Sequence, residues 1–271
     1  MSPRPVLTAR WTELILLNFP VPIAAIELLV PRGTEPDLHD GQAYISIVGF
    51  RFHAVRLFGI PVPGHTRFPE INLRYYVRRT VGSEVRRGVV FVREIVPRRA
   101  VAFTANWLYN ENYITRPMRS TLQMSGPTLA PNDTLEYAWR TKTPLPRREG
   151  PGEGSTVRAR KHIPRLRLSA PRWNRIAARV AAPLALPAPN SPEEFFVEHY
   201  WGYAAARDGT TREYQVVHDP WQVAPADNVT WDCDLPATYS TPLAEYLKQP
   251  PSSAVIAAGS PVQVRRGYRI S

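Results

Sequence analysis

The chain has 271 residues, 44% of them hydrophobic and 10% aromatic, which is enough to bury a sizeable core, so global disorder is not expected. Its lone cysteine, Cys233, excludes an intrachain disulfide and a cysteine-based zinc site. The net charge of +11 is concentrated in residues 145–180, where ten basic residues and two glutamates give +8, so the rest of the chain is nearly balanced.

The apolar run at residues 14–30 is interrupted by Asn18, Pro20, Pro22 and Glu27. These interruptions argue against a membrane span, and no small-residue cleavage site follows a clean apolar stretch. A single cysteine also suits a reducing compartment. We therefore expect a soluble, cytoplasmic protein.

Segments rich in β-branched and aromatic residues, bounded by turn signals, predict strands along most of the chain. In chain order they are residues 43–59, 71–79, 88–96, 120–125, 134–141, 212–217, 229–233, 254–257 and 262–270. Asp40-Gly41 is a turn signal before the first strand, and Gly49 is a candidate bulge within it. The Gly82 region is predicted to join the second and third strands as a hairpin.

Four short helices are predicted, at residues 100–109, 171–182, 193–203 and 243–249. The third has the clearest start, because Ser191 is an N-cap residue, Pro192 takes the first helical position and Glu194 completes a capping box. Between residues 144 and 192 the composition shifts to Pro, Gly, Arg and Ala, which indicates an insertion or an extended loop.

The predicted strands outnumber the helices and run in consecutive groups, which disfavours parallel β-α-β winding. The sequence therefore predicts an α+β fold, mainly antiparallel, with a curved or closed β-barrel and a few short helices. We expect a single barrel domain over residues 1–271, carrying a basic Pro/Arg-rich insertion at about residues 144–192.

Common catalytic motifs are missing from the sequence. There is no phosphate-binding glycine loop, no serine in a nucleophile elbow and no pair of histidines at metal-ligand spacing. We therefore assign no catalytic residue and expect no metal and no cofactor. These absences remove the commonest enzyme classes but leave open whether the protein is an enzyme.

The segment FPEINLRYYVRR, at residues 68–79, has two unlike faces when taken as a strand. One face is polar and carries Glu70, Asn72, Arg74 and Tyr76. Such a row most often faces water, but it could also line an enclosed pocket. In the neighbouring strand Arg93 interrupts an apolar stripe, and an enclosed Glu70 would then need Arg74 or Arg93 as an ion-pair partner.

Five segments resemble the YqjF-like family, domain of unknown function 2071, within the acetoacetate-decarboxylase-like superfamily. They are residues 31–52, 68–79, 86–96, 193–203 and 253–264. The resemblance implies a conical antiparallel barrel around a central cavity, with Glu70 in the place of an acidic residue that lines it. This implication favours the enclosed interpretation of the polar row.

The resemblance fails at the residue on which decarboxylase chemistry depends. Those decarboxylases form a Schiff base through a lysine amine, whereas the comparable segment here, residues 108–118, contains no lysine. Tyr113 lies near the expected position and cannot form an imine. Lys142, Lys161 and Lys248 fall outside the cavity motifs, so Schiff-base decarboxylation is not expected.

The first functional hypothesis is a cavity that binds a small polar or anionic molecule, such as a carboxylate held by Arg74 and Arg93. Asn72, Tyr76 and Tyr113 would add hydrogen bonds. Glu70 would balance charge or act as an acid/base, and Glu198 could also reach the cavity. The side chains in this hypothesis are Glu70, Asn72, Arg74, Tyr76, Arg93, Tyr113 and Glu198.

Two alternatives stay open at this point. The barrel interior could be filled, with Glu70 and the arginines in a core ion-pair network of an interaction protein. The basic insertion could bind nucleic acid or an anionic membrane surface, although a solvated loop is the favoured interpretation. Homo-oligomerisation is open as well.

Overall fold

The computed structural model describes residues 5–64, 66–98, 112–141, 172–206, 208–239 and 241–270. The strands are β1 Leu7–Val21, β2 Glu35–Pro36, β3 Ala43–Leu57, β4 Ile60–Pro61, β5 Phe68–Val81, β6 Glu84–Val96, β7 Tyr113–Thr115, β8 Met118–Gln123, β9 Thr134–Thr141, β10 Arg172–Val180, β11 Trp201–Ala205, β12 Thr211–His218, β13 Val223–Asp232, β14 Ser253–Ala257, β15 Pro261–Val264 and β16 Tyr268–Ile270. The helices are α1 Ile23–Glu27, α2 Pro192–Val197, α3 Leu235–Thr238 and a 3-10 helix at Pro242–Lys248. None of these helices is long and apolar enough to cross a bilayer.

Seven strands form a closed ring in the order β1-β3-β5-β6-β11-β12-β15, and β15 returns to pair with β1. All pairs in this ring are antiparallel except β6 with β11. The fold is therefore α+β and mainly antiparallel, with a curved sheet that closes on itself, as the sequence predicts. The hairpin through Gly82 is confirmed, because β5 and β6 pair up to Val81 and Glu84.

A second layer, the outer sheet, continues from β1 through β14, β13, β10 and β9 to β8. Its buried side chains, among them Tyr137, Trp139 and Ile176, pack against ring residues such as Ile71 and Leu73 of β5. We call this apolar contact region the interlayer core. It leaves the opposite face of β5, with the polar row, to face the inside of the ring.

Gly49 of β3 marks a close approach of the two layers and does not form the predicted bulge. A Cβ atom at this position would lie 2.8 to 2.9 Å from side-chain atoms of Tyr137, Ile176 and Ile71. The bulges in the β1–β3 ladder occur at Glu13 and Ala54, both with positive φ. Glycine is needed at position 49 because the interlayer core has no room for a side chain there.

The helix predicted at residues 171–182 is wrong, because this segment is the strand β10. Its buried residues alternate along the strand, at Asn174, Ile176, Ala178 and Val180. The segment pairs with β9 on one side and β13 on the other. The two ladders of backbone hydrogen bonds outweigh the weak helical pattern of the segment. The predicted insertion at about residues 144–192 therefore contributes a strand to the outer sheet.

The helix predicted at residues 193–203 is confirmed only in its first half. Ser191 caps α2 by accepting a hydrogen bond from the Glu194 amide at 3.2 Å, as the sequence signal indicates. The helix ends at Val197, and the chain then enters β11, which pairs with both β12 and β6. Gly202 lies in this strand against the Tyr214 ring, where a Cβ atom would collide. The helix predicted at residues 100–109 lies outside the described residues.

Candidate functional site: a polar cavity inside the ring

The ring surrounds a cavity of about 180 Å³, and every one of its seven strands contributes lining side chains. Much of the lining is aromatic or aliphatic, including Trp11, Phe50, Phe91 and Trp221. The polar lining groups are few. They are Glu70, Asn72, Arg74, Glu94, Tyr113, His199, Tyr214 and His218.

Three members of the polar row on β5 line this cavity. Glu70, Asn72 and Arg74 are 2%, 3% and 7% exposed, so the row does not face bulk water. Tyr76 is also buried but does not line the cavity. Its hydroxyl lies 2.6 Å from Ser46 Oγ, so Tyr76 belongs to the packing around the cavity.

One end of the cavity, which we call the acidic end, contains Glu70, Asn72, Glu94 and Tyr113. The Tyr113 hydroxyl donates to Glu70 Oε2 at 3.1 Å, and Asn72 Nδ2 donates to Glu70 Oε1 at 3.3 Å. Burial raises the pKa of Glu70 to about 8, although these two hydrogen bonds oppose the rise. Burial, with the nearby Glu70 and Glu94, also raises the pKa of Tyr113 well above its usual value. Glu70 is therefore protonated at neutral pH when no ligand is bound.

The other end, which we call the cationic end, is formed by Arg74. Its Nη2 donates to the Phe196 carbonyl oxygen at 2.8 Å. Within the described residues Arg74 forms no ion pair, and its Nε has no hydrogen-bond partner. The expected ion pair between Glu70 and Arg74 is not formed. The cavity therefore contains a buried guanidinium group that lacks a protein counter-ion in the described part of the chain.

Two histidines also line the cavity. His199 Nε2 lies 3.4 Å from Asp37 Oδ2, and Arg87 Nε donates to the same carboxylate oxygen at 2.7 Å. Burial lowers the pKa of His199 to about 4, although Asp37 opposes the shift. His218 is stacked between the rings of Tyr200 and Trp221, and burial lowers its pKa. Both imidazoles are consequently neutral at pH 7, and Arg74 is the cation at this wall.

The predicted position of Arg93 on the cavity face is wrong. A bulge at Val92 of β6 lies between Phe91, which pairs with Arg74, and Arg93, which pairs with Leu73, so the alternation of faces is broken. Arg93 pairs with Leu73, which faces the interlayer core, and Glu94 pairs with Asn72 and lines the cavity. The sequence offers no sign of this bulge, so its alternating pattern selects the wrong charged residue.

Glu198 does not line the cavity either. It is partly buried and accepts a hydrogen bond from the Tyr200 hydroxyl. Its neighbour His199 contacts Tyr76 and Phe195 and also lines the cavity. The reason is that α2 has already ended at Val197, so helical spacing does not apply at these positions.

Lys248 is exposed on the 3-10 helix and pairs with Glu245 at 2.5 Å. The other two lysines lie outside the described residues. Tyr113, near the position where the resemblance expects a lysine, is part of the acidic end. Across the described ranges, no three His, Cys, Asp or Glu side chains are grouped to hold a metal ion.

Solved structures with a similar fold include an acetoacetate decarboxylase-like enzyme and an enzyme of enduracididine biosynthesis. An acetoacetate decarboxylase-like enzyme from Sphingomonas wittichii RW1 aligns with a TM-score of 0.59 at 11% identity, covering 99% of this chain and 94% of that one. The enduracididine biosynthesis enzyme MppR, complexed with pyruvate, aligns with a TM-score of 0.58 at 13% identity, covering 100% and 92%. At these identities the likeness establishes the acetoacetate-decarboxylase-like fold.

The chain itself belongs to the domain of unknown function 2071 family, described as "uncharacterized conserved protein", whose model matches residues 8–261. The uncharacterized protein YqjF of Bacillus subtilis (strain 168) is 29% identical over 116 residues. This match covers 42% of the chain and 46% of YqjF, so the chain spans about half the length of this curated relative.

Proposed function

We propose that the cavity binds a small organic carboxylate, with the carboxylate group paired to Arg74 and an apolar body against the aromatic lining. The observation that carries this proposal is the buried Arg74 guanidinium, which is 7% exposed and forms no ion pair with the described residues. A buried charge without a counter-ion costs several kcal/mol, so an anionic ligand would relieve a penalty that the empty cavity bears.

The chemistry of arginine favours a carboxylate over a halide or a neutral ligand. A guanidinium presents parallel N–H donors that match the two oxygens of a carboxylate. One of the donors of Arg74, on Nη2, is held by the Phe196 carbonyl, which fixes the direction of the side chain. The Nε donor is left available for a ligand.

The remainder of the lining fits an apolar ligand body. Trp11, Phe50, Phe91 and Trp221 contribute aromatic surface, and small-molecule sites typically combine such surface with a few oriented polar groups. MppR, which shares the fold, is described as complexed with pyruvate, a small carboxylate. That example supports the ligand class proposed for this chain.

The proposed function is binding without imine chemistry. The described lining residues include no lysine, and Tyr113, which lies near the expected position, has no amine to form a Schiff base. The fold can persist while the reaction of its relatives is absent. Binding of nucleic acid or an anionic membrane surface through the basic insertion at about residues 144–192, and homo-oligomerisation, stay sequence-based predictions.

A thermal-shift experiment with matched ligands tests the proposal. Hexanoate, benzoate and pyruvate are compared with hexanol and benzyl alcohol, which keep the apolar body and lose the charge. We expect the carboxylates, and not the alcohols, to raise the Tm of the wild type. Arg74→Met should abolish the rise.

Arg78→Met is the matched control, because Arg78 lies on the same strand but pairs with Glu35 at the surface. It should leave the carboxylate response intact. Equal responses in wild type and Arg74→Met, or no response to any carboxylate, would overturn the proposal.

A further inference from the structure

We propose that the acidic end of the cavity is a second subsite, which binds an ammonium group, so that the preferred ligand is a linear ω-amino carboxylate spanning both ends. This inference rests on the proposed carboxylate site at Arg74 and specifies the ligand class further. Each charged end of such a ligand would contact a buried protein group of complementary character.

The first observation is a convergence of oxygen acceptors at the acidic end. The carboxyl groups of Glu70 and Glu94 both line the cavity and are both 2% exposed. Asn72 lies beside them, on the same strand as Glu70 and directly opposite Glu94. An ammonium group has three N–H donors and no acceptor, so it requires several oxygen acceptors in one place.

The second observation is the amide oxygen of Asn72. The amide nitrogen of this residue donates to Glu70, whereas Oδ1 has no hydrogen-bond partner among the described residues. Asn72 is 3% exposed and lines the cavity, so its oxygen cannot readily use bulk water. A buried acceptor left unsatisfied costs about 1–3 kcal/mol, and a ligand donor would remove that cost.

The spacing of the two ends selects the length of the ligand. Glu70 and Arg74 are four residues apart on β5, and at the rise of an extended strand their backbones are about 13 Å apart. The Arg74 guanidinium donates to the Phe196 carbonyl of α2 and lies 5.5 Å from the centroid of the Tyr76 ring, which is further along β5 from Glu70. An α-amino acid, whose amine and carboxylate are attached to one carbon, is too short to reach both. A chain of methylene groups would lie along the apolar lining between them.

Binding of an ammonium group should also displace a proton. Glu70, with its pKa raised to about 8, is protonated in the empty cavity at neutral pH, and a bound cation would favour its ionised form. The other titratable groups at this end are Glu94 of β6 and Tyr113 of β7. Tyr214 of β12 is close enough to contribute to the raised pKa of Tyr113. None of these groups supplies a positive charge. Among the described residues and the ligand, the ligand amine would therefore be the only cation at the acidic end.

Isothermal titration calorimetry with chain-matched ligands tests this inference. Hexanoate and octanoate are compared with ω-aminohexanoate, ω-aminooctanoate and ω-hydroxyoctanoate, whose hydroxyl end carries no charge. In wild type we expect one of the amino compounds to bind about tenfold more tightly than its unsubstituted analogue, with the hydroxy compound between them. Titrations in two buffers of different ionisation enthalpy should show proton release for the amino compound only.

The isosteric variant Glu70→Gln/Glu94→Gln should abolish the amine advantage, so that ω-aminooctanoate binds no more tightly than octanoate does to the same variant. Glu84→Gln, at an exposed glutamate of the same hairpin, serves as the control and should leave the advantage intact. If octanoate binds and the amino compounds bind no better, or if the advantage survives in the double variant, the ammonium subsite is wrong and the carboxylate site stands. If no carboxylate binds wild type at all, the proposed function fails first.

Discussion

The two faces of β5 lead into regions of different character, the interlayer core and the ring cavity. Ile71 and Leu73 face the interlayer core, which is filled by aliphatic and aromatic side chains. Glu70 and Arg74, on the other face, line an open cavity. One strand therefore supplies both the packing that holds the layers together and the polar groups that are available for a ligand.

Two buried asparagines show the same difference in detail. Asn174, on the buried face of the outer sheet, donates to the Trp139 carbonyl and Thr141 and accepts from the Asp234 amide at 2.6 Å. Asn72, in the cavity, leaves its oxygen without a partner in the described residues. The protein thus pairs the side chain of Asn174, whereas the oxygen of Asn72 is open to a ligand donor.

The largest effect on stability is expected from replacing one buried leucine in each of the two regions by alanine. Leu73→Ala empties a site in the interlayer core and should cost about 3–5 kcal/mol of unfolding free energy. Leu14, equally buried, borders the cavity, so Leu14→Ala only enlarges an existing space and should cost about 2 kcal/mol. Urea denaturation measures both values. Equal costs would show that the two regions do not differ in packing.

The next effect tests how closely the layers approach each other. Gly49→Ala places a methyl group within 2.9 Å of three side chains of the interlayer core and should destabilise the protein by about 1–3 kcal/mol. Gly126→Ala is the control, since no atom lies within 4 Å of its added Cβ, and it should shift stability by about 0.5 kcal/mol or less. A neutral Gly49→Ala would mean that the layers are looser than described.

A smaller effect, visible only as pH changes, tests the environment of Glu70. The folded protein retains the Glu70 proton up to about pH 8, whereas the unfolded chain loses it near pH 4.5. Because the folded state binds more protons in this window, this residue's contribution to stability falls as pH rises through it.

The variant Glu70→Gln cannot ionise, so it should gain stability relative to wild type between about pH 5 and pH 8. Denaturant midpoints measured across this range give the comparison, with Glu84→Gln as an exposed control. Parallel pH profiles for wild type and Glu70→Gln would contradict an enclosed, protonated Glu70.

The sequence predicts the parts of this fold that depend on local patterns. Alternation along β5 separates Glu70 from Ile71, and the Asp40-Gly41 signal corresponds to a turn in which both residues have positive φ. The family resemblance supplies the closed sheet and the inward direction of Glu70. Predicting these features requires only the local sequence pattern and that resemblance, and no information on contacts between residues distant in the chain.

The features that the sequence misses depend on tertiary pairing. The strand β10 has a helix-like pattern, and only its two neighbouring strands decide its conformation. Because of the bulge before Glu94, the side chain of Glu94 and not that of Arg93 faces the cavity. The helix α2 ends earlier than predicted, which brings His199 to the cavity. A one-residue slip reverses a strand face, so site residues on irregular strands are the hardest to predict.

The central claim, a ligand site inside the ring, is tested most directly by the indole NMR signals of the tryptophans. Trp11 and Trp221 line the cavity, whereas Trp139 and Trp231 belong to the interlayer core. On titration with octanoate, we predict saturable shifts of the first two indole N–H signals and little change in the other two. Shifts confined to Trp139 and Trp231, or no saturable shift in any of the four, would contradict the account.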